Sequence, residues 1–154
     1  MKPKGFTIVE LLIVIVVIGI LAAITMVAFT GVTNSTKTSS AKSTSQSVAR
    51  KAGLYLSETG TYPLTSGALT GATPADSYFL SGVNFVATIA SAPSAQNTII
   101  FRKCGTTPNT TQANITASNV TGLQFVYWDY TNGNANSSAT LGNTNGAGVA
   151  CPTS

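Results

Sequence analysis

The chain of 154 residues contains no histidine and only four acids, Glu10, Glu58, Asp76 and Asp129. That shortage removes most of the usual general acids and bases, and with them the familiar hydrolytic constellations. Two cysteines, Cys104 and Cys151, are too few for a metal centre here, because neither has a side-chain carboxylate within twenty residues. Phosphate-cradling glycine motifs are absent as well, and a calcium loop needs clustered acids where the C-terminal region has Asp129 alone. These absences speak against an enzyme, and no cofactor or metal is expected. Charge is also scarce. The formal balance of +4 includes Lys2 and Lys4, and a chain trimmed before Phe6 carries six Lys/Arg against four Asp/Glu, a weak basic excess with little to say about a partner. Proline is missing between Pro3 and Pro63, so Gly19 is the one weak point inside the apolar segment that opens the chain.

That segment is what the sequence does have. Residues 11–24, LLIVIVVIGILAAI, are uninterruptedly apolar, and the tract runs on with polar breaks to Phe29. As a helix, the 24 residues from Phe6 to Phe29 would extend about 36 Å, enough to cross a hydrocarbon core. Three readings fit: a single-pass anchor, a signal peptide cleaved near Ala22 and Ala23, or a segment cut on its cytoplasmic side and kept. Glu10 weighs against the second, since an acid at the start of the apolar run costs insertion energy and does nothing for a peptide to be discarded.

The run Lys4-Gly5-Phe6-Thr7-Ile8-Val9-Glu10-Leu11 resembles the processing motif of bacterial type IV pilins and of the related pseudopilins of type II secretion and DNA uptake. The likeness covers residues 1 to about 30 and, beyond them, only the general layout. It implies that a prepilin peptidase cuts between Gly5 and Phe6, that Phe6 is N-methylated, and that Glu10 is an assembly residue. The physics agrees with that implication. Cleavage creates an α-amine on Phe6, and Glu10, four residues on, lies on the same side of a helix and can neutralise it, or can meet the amine of a neighbouring copy. The helix-bending proline frequent in that family is not found here.

Residues 33–47, TNSTKTSSAKSTSQS, hold ten Ser or Thr in fifteen positions, and propensity alone makes them a neck between the anchor and a short amphipathic helix. In that helix Val48, Ala52 and Tyr55 follow a 4, 3 spacing, Ala49, Ala52 and Leu56 a 3, 4 spacing, and Gly60 with Tyr62-Pro63 supplies the stop. The resemblance instead implies one helix from about Phe6 to Ser57, with its Ser/Thr face toward solvent or neighbouring subunits. We adopt the continuous helix. Residues 60–96 have the Gly, Pro and Ser density of turns, with Tyr62 and Leu64 expected to cap the core. Strand signals lie at 83–90, 97–104 and 123–130, and Asn132-Gly133 suggests a tight hairpin. The expected fold is α+β: a long N-terminal helix, membrane-spanning in its first half, packed on a small antiparallel sheet with a disulfide-closed C-terminal region. The expected division is a leader at 1–5, a membrane and filament-core helix at 6–29, its continuation or a neck at 30–59, and a globular head at 60–154.

In an exported domain Cys104 and Cys151 are expected to be joined. Asn34, Asn109, Asn114, Asn119 and Asn136 each begin an Asn-x-Ser/Thr pattern, which in so Ser- and Thr-rich a chain mostly marks hydrated loops. Arg102 and Lys103 beside Phe101, with Tyr127, Trp128 and Tyr130 nearby, offer a weak nucleic-acid reading; the competing place for those rings is the sheet core. The function expected is structural: a subunit of a type IV pilus, held first in the inner membrane as a single-pass protein and then placed in an extracellular filament. Its partners would be other copies of itself, membrane lipid, the prepilin peptidase, and an assembly platform with its motor. The alternatives are a minor pilin, a pseudopilin of DNA uptake or secretion, and a membrane-tethered binding domain.

Overall fold

A computed structural model describes residues 5–106 and 111–153. Residues 1–4 of the expected leader, and Asn109 of the Asn-x-Thr patterns, lie outside them.

One helix, α1, runs without interruption over Ile8–Thr59. Its 52 residues make a rod of about 78 Å. The Ser/Thr-rich stretch is therefore helix and not a neck. Three of its four threonines bond inside the helix, the hydroxyls of Thr33, Thr36 and Thr44 donating to the carbonyls of Phe29 (2.8 Å), Val32 (2.9 Å) and Ser40 (3.1 Å), while Thr38 reaches across to Asp129. Back-bonding satisfies these hydroxyls within the helix, and packing on the sheet supplies the stability that the helix propensity of Ser and Thr does not. Gly60 ends the helix in the left-handed region at φ 72°, its N–H donating to Leu56 O at 2.9 Å.

A single turn, α2, spans Gly67–Thr70. The strands follow: β1 (Asn84–Val86), β2 (Thr98–Thr106), β3 (Val120–Asp129), β4 (Asn134–Gly142) and β5 (Val149–Ala150). Among the described residues they form one sheet ordered β1-β2-β3-β4, with β5 pairing β2 beyond the end of β1. Two expectations need correction. The first strand signal, 83–90, yields only Asn84–Val86, and that strand pairs parallel to β2, so the sheet is mixed and not wholly antiparallel. The Asn132-Gly133 pair closes a hairpin with a loop of residues 130–133, and β4 beyond it is a strand that its composition, NANSSATLG, conceals.

The helix buries Ala41, Ser45, Val48 and Ala52, a 4, 3, 4 spacing that extends the Val48, Ala52, Tyr55 pattern one and two turns back into the Ser/Thr-rich stretch. These small side chains meet Ile99 of β2 and Leu123, Phe125 and Tyr127 of β3, with Leu69 of α2 and Leu80 of the following loop closing the core and Tyr62 packed at its margin. Ser45 is fully buried and fully used: its hydroxyl donates to Phe125 O at 2.7 Å and accepts from Ala139 N at 3.2 Å, tying the helix to both β3 and β4. Part of the Ser/Thr face therefore meets the sheet instead of solvent.

Cys104 and Cys151 form a disulfide. Since β2 and β5 pair at Gly105 and Ala150, the bond continues that two-residue ladder by one step. Ile115 packs against Gly105, where a Cβ would come within 3.2 Å of Ile115 and 2.9 Å of Asn119 O.

Candidate functional site

Gly5, Phe6 and Thr7 precede the first helical residue, and Phe6 is 91% exposed. The Gly5–Phe6 peptide bond thus lies in non-helical chain, with space around it: a Cβ at Gly5 would meet nothing within 4 Å.

The helix then begins with a reciprocal cap. Thr7, extended at φ −82° and ψ 153°, accepts from Glu10 N through its hydroxyl at 3.3 Å, while Glu10 Oε2 accepts from both Thr7 N and Thr7 Oγ1 at 2.8 Å. Thr7 is the residue that reading the sequence for function passed over. The signal was present as Thr7-x-x-Glu10 ahead of an apolar run, the ordinary sign of a capped helix start. With Gly5 still joined to Phe6 the nitrogen of Phe6 is a neutral amide, and the Glu10 carboxylate turns to Thr7. Cleavage would place a new cation within one turn of a carboxylate that the cap already holds in position.

Above the cap, the apolar side chains from Ile8 to Val32 stand uncovered. Met26, Val27 and Phe29 are each more than 70% exposed, and no residue of the helix is fully buried before Ala41. An apolar surface this continuous exceeds what a soluble monomer presents and marks a surface meant for lipid or for other protein. The segment is long and apolar enough to span a membrane. Its two interior threonines are prepared for such surroundings, because Thr25 donates to Ala22 O at 3.0 Å and Thr30 to Met26 O at 3.1 Å.

The second group of candidate residues is not brought together. Arg102 and Lys103 are neighbours on β2 and so point to opposite faces of the sheet. Lys103 Nζ donates to Ile115 O at 2.8 Å, and burial lowers its pKa; its backbone is bridged by Gln112, which accepts from Lys103 N at 2.7 Å and donates to Lys103 O at 2.9 Å. Tyr127 and Trp128 are buried, and Tyr130 donates to Pro93 O at 2.7 Å with Lys37 over its ring. The rings serve the packing of the sheet and form no stacking platform with the two cations. Asn119 is likewise engaged, accepting from Thr116 N at 2.7 Å and donating to Asn114 O at 3.0 Å. Among the described residues no three His, Cys, Asp or Glu side chains gather at one place.

Residues 1–26 match the family model described as the prokaryotic N-terminal methylation motif. This motif is characteristic of prepilin-like proteins, and the match covers the cap, the Gly5–Phe6 bond and most of the exposed stem. No curated protein and no solved structure matches the chain.

Proposed function

We propose that the chain is a prepilin, cut between Gly5 and Phe6, methylated on the Phe6 nitrogen, and assembled as a structural subunit of a type IV pilus. The observation that carries this reading is that one uninterrupted helix supplies both an uncovered apolar stem and the backbone on which the head is folded. Before assembly the stem lies in the inner membrane as a single pass. In the filament the stems of neighbouring copies replace lipid, and the heads form the outer layer. Residues 1–5 are the leader, 6–29 the membrane and filament-core segment, and 60–154 the head. A peptidase, a platform and a motor are the partners this sequence of events needs.

Glu10 has two tasks in this scheme. It caps its own helix through Thr7, and it offers its charge to a Phe6 amine, its own or that of an adjacent copy. Substitution separates the two. Glu10→Gln keeps the capping pattern, for which glutamine serves as well, and removes the charge. The variant should be inserted and cut normally but give few filaments; normal filament yield at normal protein level would exclude an assembly role for the charge. Processing is read from intact mass, which should correspond to Phe6–Ser154 with one methyl group. An N-terminus after Ala23, or an uncut Met1, would overturn the proposal, and a protein scarce along purified filaments would reassign it to a minor pilin or pseudopilin.

A further inference from the structure

Two Asn-Gly pairs lie inside the disulfide-closed part of the chain, Asn132-Gly133 and Asn145-Gly146. By sequence they are equivalent. In such a pair the nitrogen of the glycine can reach the side-chain amide carbon of the asparagine, since no Cβ obstructs it. The fold makes the two pairs unequal.

At Asn132 both the nitrogen that would leave and the nitrogen that would attack are held by Asp129. Asn132 Nδ2 donates to Asp129 Oδ2 at 2.6 Å, Asn132 N donates to Asp129 Oδ1 at 3.1 Å, and Gly133 N donates to Asp129 O at 2.8 Å. Leaving group and nucleophile are both bound, and Gly133 is fixed at φ 67° by the hairpin loop. Asn145 and Gly146 stand exposed in the bend between β4 and β5. Among the described residues no hydrogen bond engages the Asn145 side chain or Gly146 N; the bend is held instead through Gly146 O, which accepts from Val149 N at 3.1 Å, and Thr144 O, which the Cys151 sulfur approaches at 3.5 Å.

We infer that Asn145 is a site of spontaneous deamidation in the folded protein and that Asn132 is protected from it by Asp129. Gly146 N bonds to Asn145 Cγ as the Cγ–Nδ2 bond breaks, and the proton lost from the attacking nitrogen leaves with Nδ2 as ammonia. Water then opens the succinimide at one carbonyl or the other, leaving aspartate or an isoaspartyl link at 145. No oxidant or reductant takes part. The segment between the two cysteines carries one charged side chain, Asp129, so a single event doubles its acids. A long-lived extracellular protein would thereby acquire negative charge with age at one defined place on its surface.

The test is peptide mapping by mass spectrometry of full-length protein, purified in detergent and held at mildly alkaline pH. In the folded protein Asn145 should convert several-fold faster than Asn132. After reduction and denaturation the two rates should converge. Equal rates in the folded protein, or faster loss at Asn132, would overturn the inference. Asp129→Ala, if folded, should raise the Asn132 rate toward that of Asn145, and an unchanged rate in that folded variant would remove Asp129 as the protector. Should the variant fail to fold, the comparison of native with denatured wild type decides the question by itself.

Discussion

The two halves of α1 share a backbone and little else. From Ile8 to Val32 the helix carries large aliphatic side chains and covers none of them, while from Thr38 to Tyr55 it carries small and polar ones and buries those that face the sheet. The half richer in hydrophobic residues is the one without a core. Hydrophobicity by itself therefore does not locate the core of this protein. Complementarity does: Ala41, Ser45 and Ala52 are small enough to let the helix settle on Phe125 and Leu123, and the buried hydroxyl of Ser45 finds both a donor and an acceptor on the sheet. Among the described residues the stem has no such counterpart.

The contrast is broken most severely by placing a charge in each half. Val48→Asp puts an unpaired carboxylate at a fully buried position and should cost more than about 4 kcal/mol, unfolding the head. Ile13→Asp should leave thermal unfolding of the head unchanged in detergent, while weakening retention in the membrane. Near-UV circular dichroism of the two variants checks this. Equal loss of head structure in both would mean that the halves are not independent.

A smaller effect is expected from the disulfide. Replacing Cys104 and Cys151 by serine should cost roughly 2–4 kcal/mol and should loosen residues 143–150 first, since β5 is held to β2 by two residue pairs alone. Limited proteolysis of the full chain should show new cuts in that segment and none in α1. Unchanged protection of the segment would assign its restraint to packing.

The smallest effect falls at the border between the halves. Asp129 is buried, and its carboxylate accepts from Thr38 Oγ1 at 3.2 Å, Thr131 N at 2.9 Å and Asn132 on the hairpin loop. Desolvation works to raise its pKa, but the hydrogen bonds from Asn132, Thr131 and Thr38 outweigh that and hold it below the usual aspartate value. A folded-state value below the unfolded one gives stability that is complete above the unfolded pKa and is lost as pH falls through the folded one. The head of the wild type should thus lose stability in that acid range. Asp129→Asn should be less stable near neutrality and should show a flatter acid limb in a melting series; an unchanged acid limb would place the sensitivity elsewhere.

The apolar stem was legible because it depends on local chemistry alone: a long run of aliphatic side chains with no charged residue between Glu10 and Lys37. The cysteine pair was legible because a chain with two thiols leaves each a single partner. The parallel pairing of β1 was not, since strand direction is decided by the path of residues 87–97 and by what β2 leaves unpaired, neither of which appears in a propensity. For β4 the reason is composition. Ser137, Ala139 and Leu141 lie opposite Tyr127, Phe125 and Leu123, and only that register turns a polar stretch into a strand. Ser45 and Thr38 read as linker residues until a sheet stands beside them.

The length of α1 also decides how the molecule carries load. If the stem is gripped and the head is dragged, force passes along the helix axis and tries to slide the helix across the sheet. The ties between them, from Thr38 on Asp129 through Ser45 on Phe125 and Ala139 to the packing of Val48 and Ala52, are spread along about four turns of helix. They are strained together and not one after another. With β2, β3 and β4 joined edge to edge behind them, the head behaves as a bonded lap joint, in which tension on the stem is shared over the whole overlap before any strand is peeled away.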